Sequence, residues 1–176
     1  SQTNGQHIGY VGTTVTITGT NFTGATSVKF GGVEATSFIV DSSTQITATV
    51  PAGFTSGKIR VTTATGAIDS ADSFTVAPPT ITGFQVMLLS ALPGTVNPHS
   101  GQVGDQVTIS GAGFTGTTAV YFGGYTVGSD EVLGTPAGFV VSSDTTLTAW
   151  VPIGAGSGYI QVATAAGTAQ YGVVGM

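Results

Sequence analysis

Short runs in which apolar and polar residues alternate recur along the whole chain. Val15 and Ile17 bracket a threonine, and the same period is seen at Val28/Phe30, Ile46/Ala48/Val50 and Ile59/Val61. Successive side chains of a β-strand point to opposite faces, so each run predicts a half-buried strand. Gly, Ser, Thr, Asn and Pro separate the runs, as expected for turns. No sustained helical period interrupts this pattern, and we therefore expect an all-β protein.

The same pattern occurs twice, as an internal repeat of the sequence. The segment VGTTVTITGTNFTGATSVKFGG starts at Val11, and VGDQVTISGAGFTGTTAVYFGG starts at Val103, 92 residues later. Beyond this segment Val40 aligns with Val141, 101 residues later, so the second copy contains a nine-residue insertion around residues 127–136. Two homologous domains, 1–77 and 78–176, are predicted to meet near the Pro78-Pro79 pair.

About seven short strands in roughly 75–100 residues are typical of a two-sheet immunoglobulin-like sandwich. The spacing Gly-x-x-Val-Thr-Ile-[Ser/Thr]-Gly-x-x-Phe, followed by Val-x-Phe-Gly-Gly and [Ile/Leu]-Thr-Ala-x-Val-Pro, resembles that of the IPT/TIG domain family. These motifs occupy residues 12–22, 28–32 and 46–51, and again 104–114, 120–124 and 147–152. The resemblance implies a binding or spacer module, as found in bacterial surface proteins and phage virion proteins. It brings no catalytic residue.

The first copy begins too late to contain the first strand of this fold. Residue 1 aligns with residue 93, so residues 79–92, where the second copy resembles the family's first strand, have no counterpart. The predicted fold is therefore two consecutive immunoglobulin-like β-sandwiches of the IPT/TIG type, the first copy lacking its own strand A. Such an edge needs a cover or a partner. One explanation is that another segment of the protein, upstream sequence or altered packing covers it, and the other is a strand added by a neighbouring subunit.

The chain is unusually poor in charge. Lys and Arg number 3 and Asp and Glu number 8, so charged residues make up 6 % of the chain with a net charge of −5, against about 25 % in ordinary domains. Three basic residues cannot neutralise a phosphate backbone or an anionic membrane, which excludes nucleic acid as a partner. No apolar stretch approaches the roughly 18 residues of a spanning helix, and no membrane insertion is expected.

Few residues suggest chemistry. The chain has no cysteine, which excludes disulfides, a thiolate nucleophile and zinc-thiolate sites. His7 and His99 occupy equivalent positions without further ligands at metal spacing, so we expect each to hydrogen-bond a loop backbone. The acidic residues are scattered. We therefore expect no enzyme activity, no catalytic residue, no metal and no cofactor.

Outward positions of matched strands differ between the two copies. Alternation places Lys29, Lys58 and Arg60 on the outer face of one sheet in the first copy, where the second copy has Tyr121, Tyr159 and Gln161. On the other sheet, Trp150 points outward where the first copy has Thr49. Outward aromatics can simply favour strand formation, but Tyr and Trp are also common interface anchors. The candidate interaction surface therefore comprises Tyr121, Tyr159, Trp150, Lys29, Lys58 and Arg60.

These features favour a non-enzymatic structural or interaction protein. A surface with few charges has little electrostatic protection against association, which suits a dense assembly. The first expectation is a bacteriophage virion component, either a head-decoration or a tail-associated protein, that binds neighbouring subunits as a homo-oligomer within a lattice. The alternative is a bacterial cell-surface or secreted protein fragment that acts as a glycan-binding or spacer module.

Overall fold

The computed structural model describes residues 7–87, 101–127, 130–132 and 134–174. In this part of the chain all regular secondary structure is β-strand, as predicted. The chain divides into two compact units, Ser1–Ala77 and Pro78–Met176, called unit 1 and unit 2 below. The residues covered by the structure contain no helix of the length and apolar character needed to cross a membrane.

Unit 1 consists of two facing sheets. Its strands are β1 (His7–Gly9), β2 (Thr14–Thr18), β3 (Ala25–Phe30), β4 (Val33–Glu34), β5 (Phe38–Ser42), β6 (Gln45–Thr49), β7 (Ser56–Thr63) and β8 (Gly66–Val76). One sheet has the order β1-β8-β7-β3-β4 and the other the order β2-β6-β5. Only the β1–β8 pair is parallel among the strand pairs described for this unit.

The core of unit 1 follows the predicted alternation. Val28 and Phe30 on β3 are fully buried, and Ile46 and Ala48 on β6 face them from the other sheet. Three phenylalanines complete this core, with ring centroids 5.7 to 6.3 Å apart: Phe30, Phe54 and Phe74. Gly31 and Gly32 form the turn between β3 and β4, and both have a positive φ, of 54° and 96°, which glycine adopts without strain.

Unit 2 repeats this plan, but the sheet that corresponds to β2-β6-β5 has four strands where unit 1 has three. Its strands are β9 (Thr80–Met87), β10 (Gln106–Ala112), β11 (Thr117–Val127), β12 (Asp130–Val132), β13 (Thr135–Ala137), β14 (Phe139–Ser143), β15 (Thr146–Trp150), β16 (Gly158–Thr164) and β17 (Gly167–Val174). One sheet has the order β14-β15-β10-β9, and the other the order β12-β11-β16-β17, with β13 paired to β11. The fully buried core includes Ile109, Phe114, Phe122, Leu147 and Ile160.

The two units differ at the strand that precedes β2 and β10. In unit 2, β9 runs antiparallel along β10 and closes that edge. Among the residues that the structure describes, β2 pairs with β6 alone, and no strand is hydrogen-bonded to its other edge. In the part of unit 1 that the structure describes, the place of strand A beside β2 is therefore empty, in line with the repeat alignment.

Candidate interaction surfaces

Trp150 lies on the outer face of unit 2. Leu147 and Ala149 of the same strand are fully buried, whereas Trp150 points the other way and is 39 % exposed. Directly opposite it on β10 lies Gln106, which is in turn opposite Met87 on β9. Trp150, Gln106 and Met87 therefore form a continuous row across three strands.

A second row of outward side chains runs beside the first. Gln85 is opposite Thr108, and Thr108 is opposite Thr148. We call the two rows together the Trp150 face, defined by Gln85, Met87, Gln106, Thr108, Thr148 and Trp150. The face offers an aromatic ring, a thioether, two amides and two hydroxyls, and it includes no charged side chain.

The nearby carboxylates of unit 2 have structural roles. Asp105 is 3 % exposed, and its Oδ2 accepts a hydrogen bond of 2.8 Å from the backbone N–H of Gln102. Asp144 accepts hydrogen bonds of 3.2 Å from the backbone N–H groups of Gly113 and Thr115. Both carboxylates fix loops by satisfying backbone donors that would otherwise need water.

The equivalent face of unit 1 lacks an aromatic ring. Thr14 lies opposite Thr49, and Thr16 lies opposite Thr47, in the places that Gln106, Trp150, Thr108 and Thr148 take in unit 2. The strands otherwise match closely, since ITATVP in unit 1 corresponds to LTAWVP in unit 2. The ring therefore distinguishes the two units at this face.

The expected tyrosine face of unit 2 is partly covered. Tyr121 lies opposite Gln161 on the neighbouring strand, and both tyrosines, Tyr121 and Tyr159, are half-buried. Gln161 was expected to point outward into solvent, but it is completely buried. The backbone N–H of Gly134 donates a hydrogen bond of 3.2 Å to Gln161 Oε1, so the insertion folds over this side chain.

The covering depends on glycine. A Cβ at Gly124 would collide with the side-chain amide of Gln161, and one at Gly134 would collide with the carbonyl oxygen of Phe122. On the insertion, β13 pairs with β11 and places Pro136 opposite Tyr121. The alignment of the two copies could not reveal this cover, because the insertion has no counterpart in unit 1.

The basic residues of unit 1 lie together on the outer face of β3 and β7. Lys29 is directly opposite Arg60, and Lys58 lies on the same side of β7. With Gly31, Gly32 and Asp69 they line a shallow depression of about 390 Å³. This confirms that the three basic residues share one face.

Two of these cations are neutralised by neighbours. Lys29 Nζ lies 3.2 Å from Glu34 Oε1. Arg60 donates two hydrogen bonds to Asp69, of 2.7 and 2.8 Å, and these bonds lower the pKa of the Asp69 carboxyl and raise the pKa of Arg60. Lys58 makes no ion pair with any residue that the structure describes. The face is therefore a nearly neutral surface with one unpaired ammonium group.

The histidines form no reactive site in the described part of the chain. His7 Nε2 lies 3.8 Å from Asp72 Oδ2, and both side chains are exposed. His7 on β1 thus faces the carboxylate of Asp72 on β8. The expected hydrogen bond from His7 to a loop backbone is not found among the described residues. His99 lies outside the described residues. No group of three or more His, Cys, Asp or Glu side chains that could hold a metal occurs among the residues covered.

Comparisons with known proteins agree with this architecture. A family model of the IPT/TIG domain matches residues 6–82 and 93–173. No curated protein matches the sequence significantly.

Three solved structures illustrate the similarity. The chain is similar to SGBP-B from a complex xyloglucan utilization locus in Bacteroides uniformis, at 23 % identity and a TM-score of 0.37, over 94 % of this chain and 45 % of that one. It is similar to the surface glycan-binding protein PbSGBP-B from Prevotella bryantii, at 18 % identity and a TM-score of 0.44, over 94 % and 36 %. The tandem Ig domains of titin match at 11 % identity and a TM-score of 0.30, over 97 % and 90 %. The chain spans less than half the length of the first two.

Proposed function

The chain belongs to the IPT/TIG domain family through both of its units, and we propose that it is a non-catalytic binding module of a bacterial cell-surface or secreted protein. Its second unit presents the Trp150 face to a neutral glycan. The observation that carries this proposal is the row of Trp150, Gln106 and Met87, in which an exposed indole ring adjoins an amide on the outer face of a sheet. Unit 1 acts as a spacer with respect to this ligand.

The chemistry of the Trp150 face suits a sugar ring. A flat indole packs against the C–H groups of a pyranose, and the amides of Gln106 and Gln85 can donate to and accept from its hydroxyls. Few polar groups placed beside an apolar platform are the usual means of orienting a ligand. Because no side chain of this face is charged, the expected ligand is a neutral glycan and not an acidic one.

The difference between the two units supports a role in binding. An aromatic that only favours strand formation would serve equally well in either copy, yet Thr49 takes the place of Trp150 in unit 1. The virion component and its lattice of neighbouring subunits, which the low charge favoured, find no support in these findings. The cell-surface alternative is the one we take forward.

The proposal is tested by measuring binding of the full chain to neutral glycans, starting with xyloglucan oligosaccharides and mixed-linkage glucan oligosaccharides. Isothermal titration calorimetry of the Trp150→Thr variant, which carries the residue of unit 1, is expected to show at least tenfold weaker binding than the unaltered chain. The matched control is Thr49→Ala in unit 1, which should bind as the unaltered chain does. Equal binding by Trp150→Thr, or no binding to any glycan of a broad neutral panel, would overturn the proposal.

A further inference from the structure

The row of outward residues at Trp150 extends to a fourth position. The backbone N–H of Trp150 donates a hydrogen bond of 3.0 Å to the carbonyl oxygen of Gly138, the residue directly before β14. Gly138 therefore lies beside Trp150 on the side away from Gln106. The row crosses the whole sheet in the strand order β14-β15-β10-β9. We call its four members the Trp150 row: Gly138, Trp150, Gln106 and Met87.

The differences between the two units on this face follow the Trp150 row. In unit 1 the three positions that can be compared all carry hydroxyl groups: Ser37, Thr49 and Thr14. The neighbouring row does not change in this way, because Thr108 and Thr148 correspond to two threonines of unit 1. The residues that distinguish unit 2 therefore lie on a line across the strands and not on a line along β15.

Neither backbone geometry nor packing requires a glycine at position 138. Its φ lies outside the left-handed region, and a Cβ there would meet no atom of the described chain within 4 Å. In unit 1 the same position holds Ser37, whose hydroxyl is hydrogen-bonded to that of Thr49 at 3.0 Å. The absence of a side chain at Gly138 leaves open space beside the indole ring of Trp150.

The spacing of the Trp150 row fits an extended sugar chain. Neighbouring strands of a sheet lie about 4.8 Å apart, so the row spans roughly 14 Å from Gly138 to Met87. An unbranched chain of β-1,4-linked pyranoses advances by a closely similar length per sugar residue. One sugar residue can therefore lie over each of the four strands.

The positions of the row offer different contacts to such a chain. The indole ring of Trp150 is 39 % exposed and can stack on the C–H face of a pyranose. The amide of Gln106 can donate to and accept from sugar hydroxyls. Met87 is 63 % exposed and offers a polarizable thioether. Gly138 adds no bulk, so a sugar residue can lie directly on the backbone before β14.

We propose that unit 2 binds a linear, β-1,4-linked neutral glycan that crosses the strands along the Trp150 row, and that Gly138 determines the length of chain that is bound. This inference rests on the glycan binding proposed above and adds the direction, the length and the linkage of the ligand. One sugar residue stacks on Trp150, the next contacts Gln106 and a third packs on Met87. A fourth lies over Gly138, where a larger residue would exclude it.

The test measures the affinity of the full chain for β-1,4-linked glucose oligosaccharides of two to six residues by isothermal titration calorimetry. Affinity should rise with each added sugar up to four, by at least threefold from three to four, and then stay constant. Gly138→Val should bind the tetrasaccharide no more tightly than the unaltered chain binds the trisaccharide, and its affinity for the trisaccharide should change by less than twofold.

The matched control for this variant is Gly83→Val. Gly83 lies opposite Ser110 on β10, outside the Trp150 row, and a Cβ there also meets nothing within 4 Å. Gly83→Val should therefore bind each oligosaccharide as the unaltered chain does.

Two further variants test the direction of the bound chain. Met87→Ala removes the contact over β9 and should weaken binding of the tetrasaccharide at least threefold. Thr148→Ala changes the next outward residue along β15 and should leave binding unaltered. The reverse result, a loss in Thr148→Ala and none in Met87→Ala, would show that the glycan runs along β15 and would overturn the proposal.

The remaining outcomes separate this inference from the proposed function. The inference alone is overturned if binding depends on Trp150 but levels off below four sugar residues, is the same in Gly138→Val, or occurs only with neutral glycans of other linkages. No binding of any neutral glycan overturns both.

Discussion

Trp150 and Gln106 lie directly opposite each other on the antiparallel strands β15 and β10, with both side chains on the outer face of unit 2. Directly opposite side chains on one face are close enough to contact the same ligand. The corresponding pair in unit 1 is Thr14 and Thr49. This exchange of two threonines for an amide and an indole gives unit 2 a surface that unit 1 lacks.

The amide of Gln106 is expected to contribute to glycan binding beside the ring. Gln106→Ala removes a donor and an acceptor and should weaken binding by about 1 kcal/mol, roughly fivefold. Calorimetric titration with the same oligosaccharides measures this loss. Thr14→Ala, the matched change in unit 1, should leave glycan affinity unaltered. An unchanged affinity in Gln106→Ala would show that the amide does not contact the glycan.

Burial of equivalent isoleucines predicts unequal stability effects. Ile109→Ala should destabilise unit 2 by about 2–5 kcal/mol, because it leaves a cavity in a closed core. Ile17→Ala should lower the free energy of unfolding of unit 1 by clearly less, because the side chain of Ile17 is only half-buried. Differential scanning calorimetry of the full chain measures both. Equal losses in the two variants would show that Ile17 is as deeply buried in solution as Ile109.

Gly111 is expected to be essential for the pairing of β9 with β10. A Cβ at this position would collide with the carbonyl oxygen of Thr80 and with the ring of Phe114. Gly111→Ala should therefore destabilise unit 2 by about 1–3 kcal/mol or more and speed amide exchange in β9. Gly83→Ala serves as control because a Cβ there meets nothing within 4 Å. Similar thermal unfolding of both variants would contradict this packing.

The Arg60–Asp69 pair predicts a pH dependence in unit 1. Its hydrogen bonds lower the pKa of Asp69 below the ordinary value of 3.8. A lowered pKa in the folded state means that the pair stabilises unit 1 above that ordinary value and that this contribution is lost as the pH falls through the folded-state pKa. Carboxyl carbon NMR titration of the Arg60→Gln variant should show the pKa of Asp69 moving back up. An unchanged titration would show that the pair does not form in solution.

Most of the fold could be predicted from the sequence because the repeat supplied an internal comparison. Alternation at Val28 and Phe30 identified a buried strand face, and the offset between the copies identified the missing strand beside β2. The outward direction of Trp150 followed from the same reasoning. These features depend on the alternation of apolar and polar residues and on the alignment of the two copies, both of which can be read from the sequence alone.

The other features depend on contacts between strands and with the insertion, which the comparison of the two copies does not show. Gln161 was expected to be exposed because alternation gives only a direction, while its burial is decided by Gly134 of the insertion. Met87 and Gln106 were not singled out, since their place beside Trp150 follows from the register of three strands. The alignment predicted an unpaired edge beside β2, but it did not predict the exposure of Ile68.

The most direct test of the central claim uses Trp150 itself, because it is the one tryptophan of the chain. Its fluorescence emission is recorded while neutral glycan oligosaccharides are added, with Tyr121→Phe as a control that leaves the Trp150 face intact. Stacking of a sugar on the exposed indole predicts a saturable shift of the emission to shorter wavelength, with a midpoint equal to the calorimetric Kd. Calorimetric binding of a glycan without any change in the emission would contradict the account, because it would place the ligand away from Trp150.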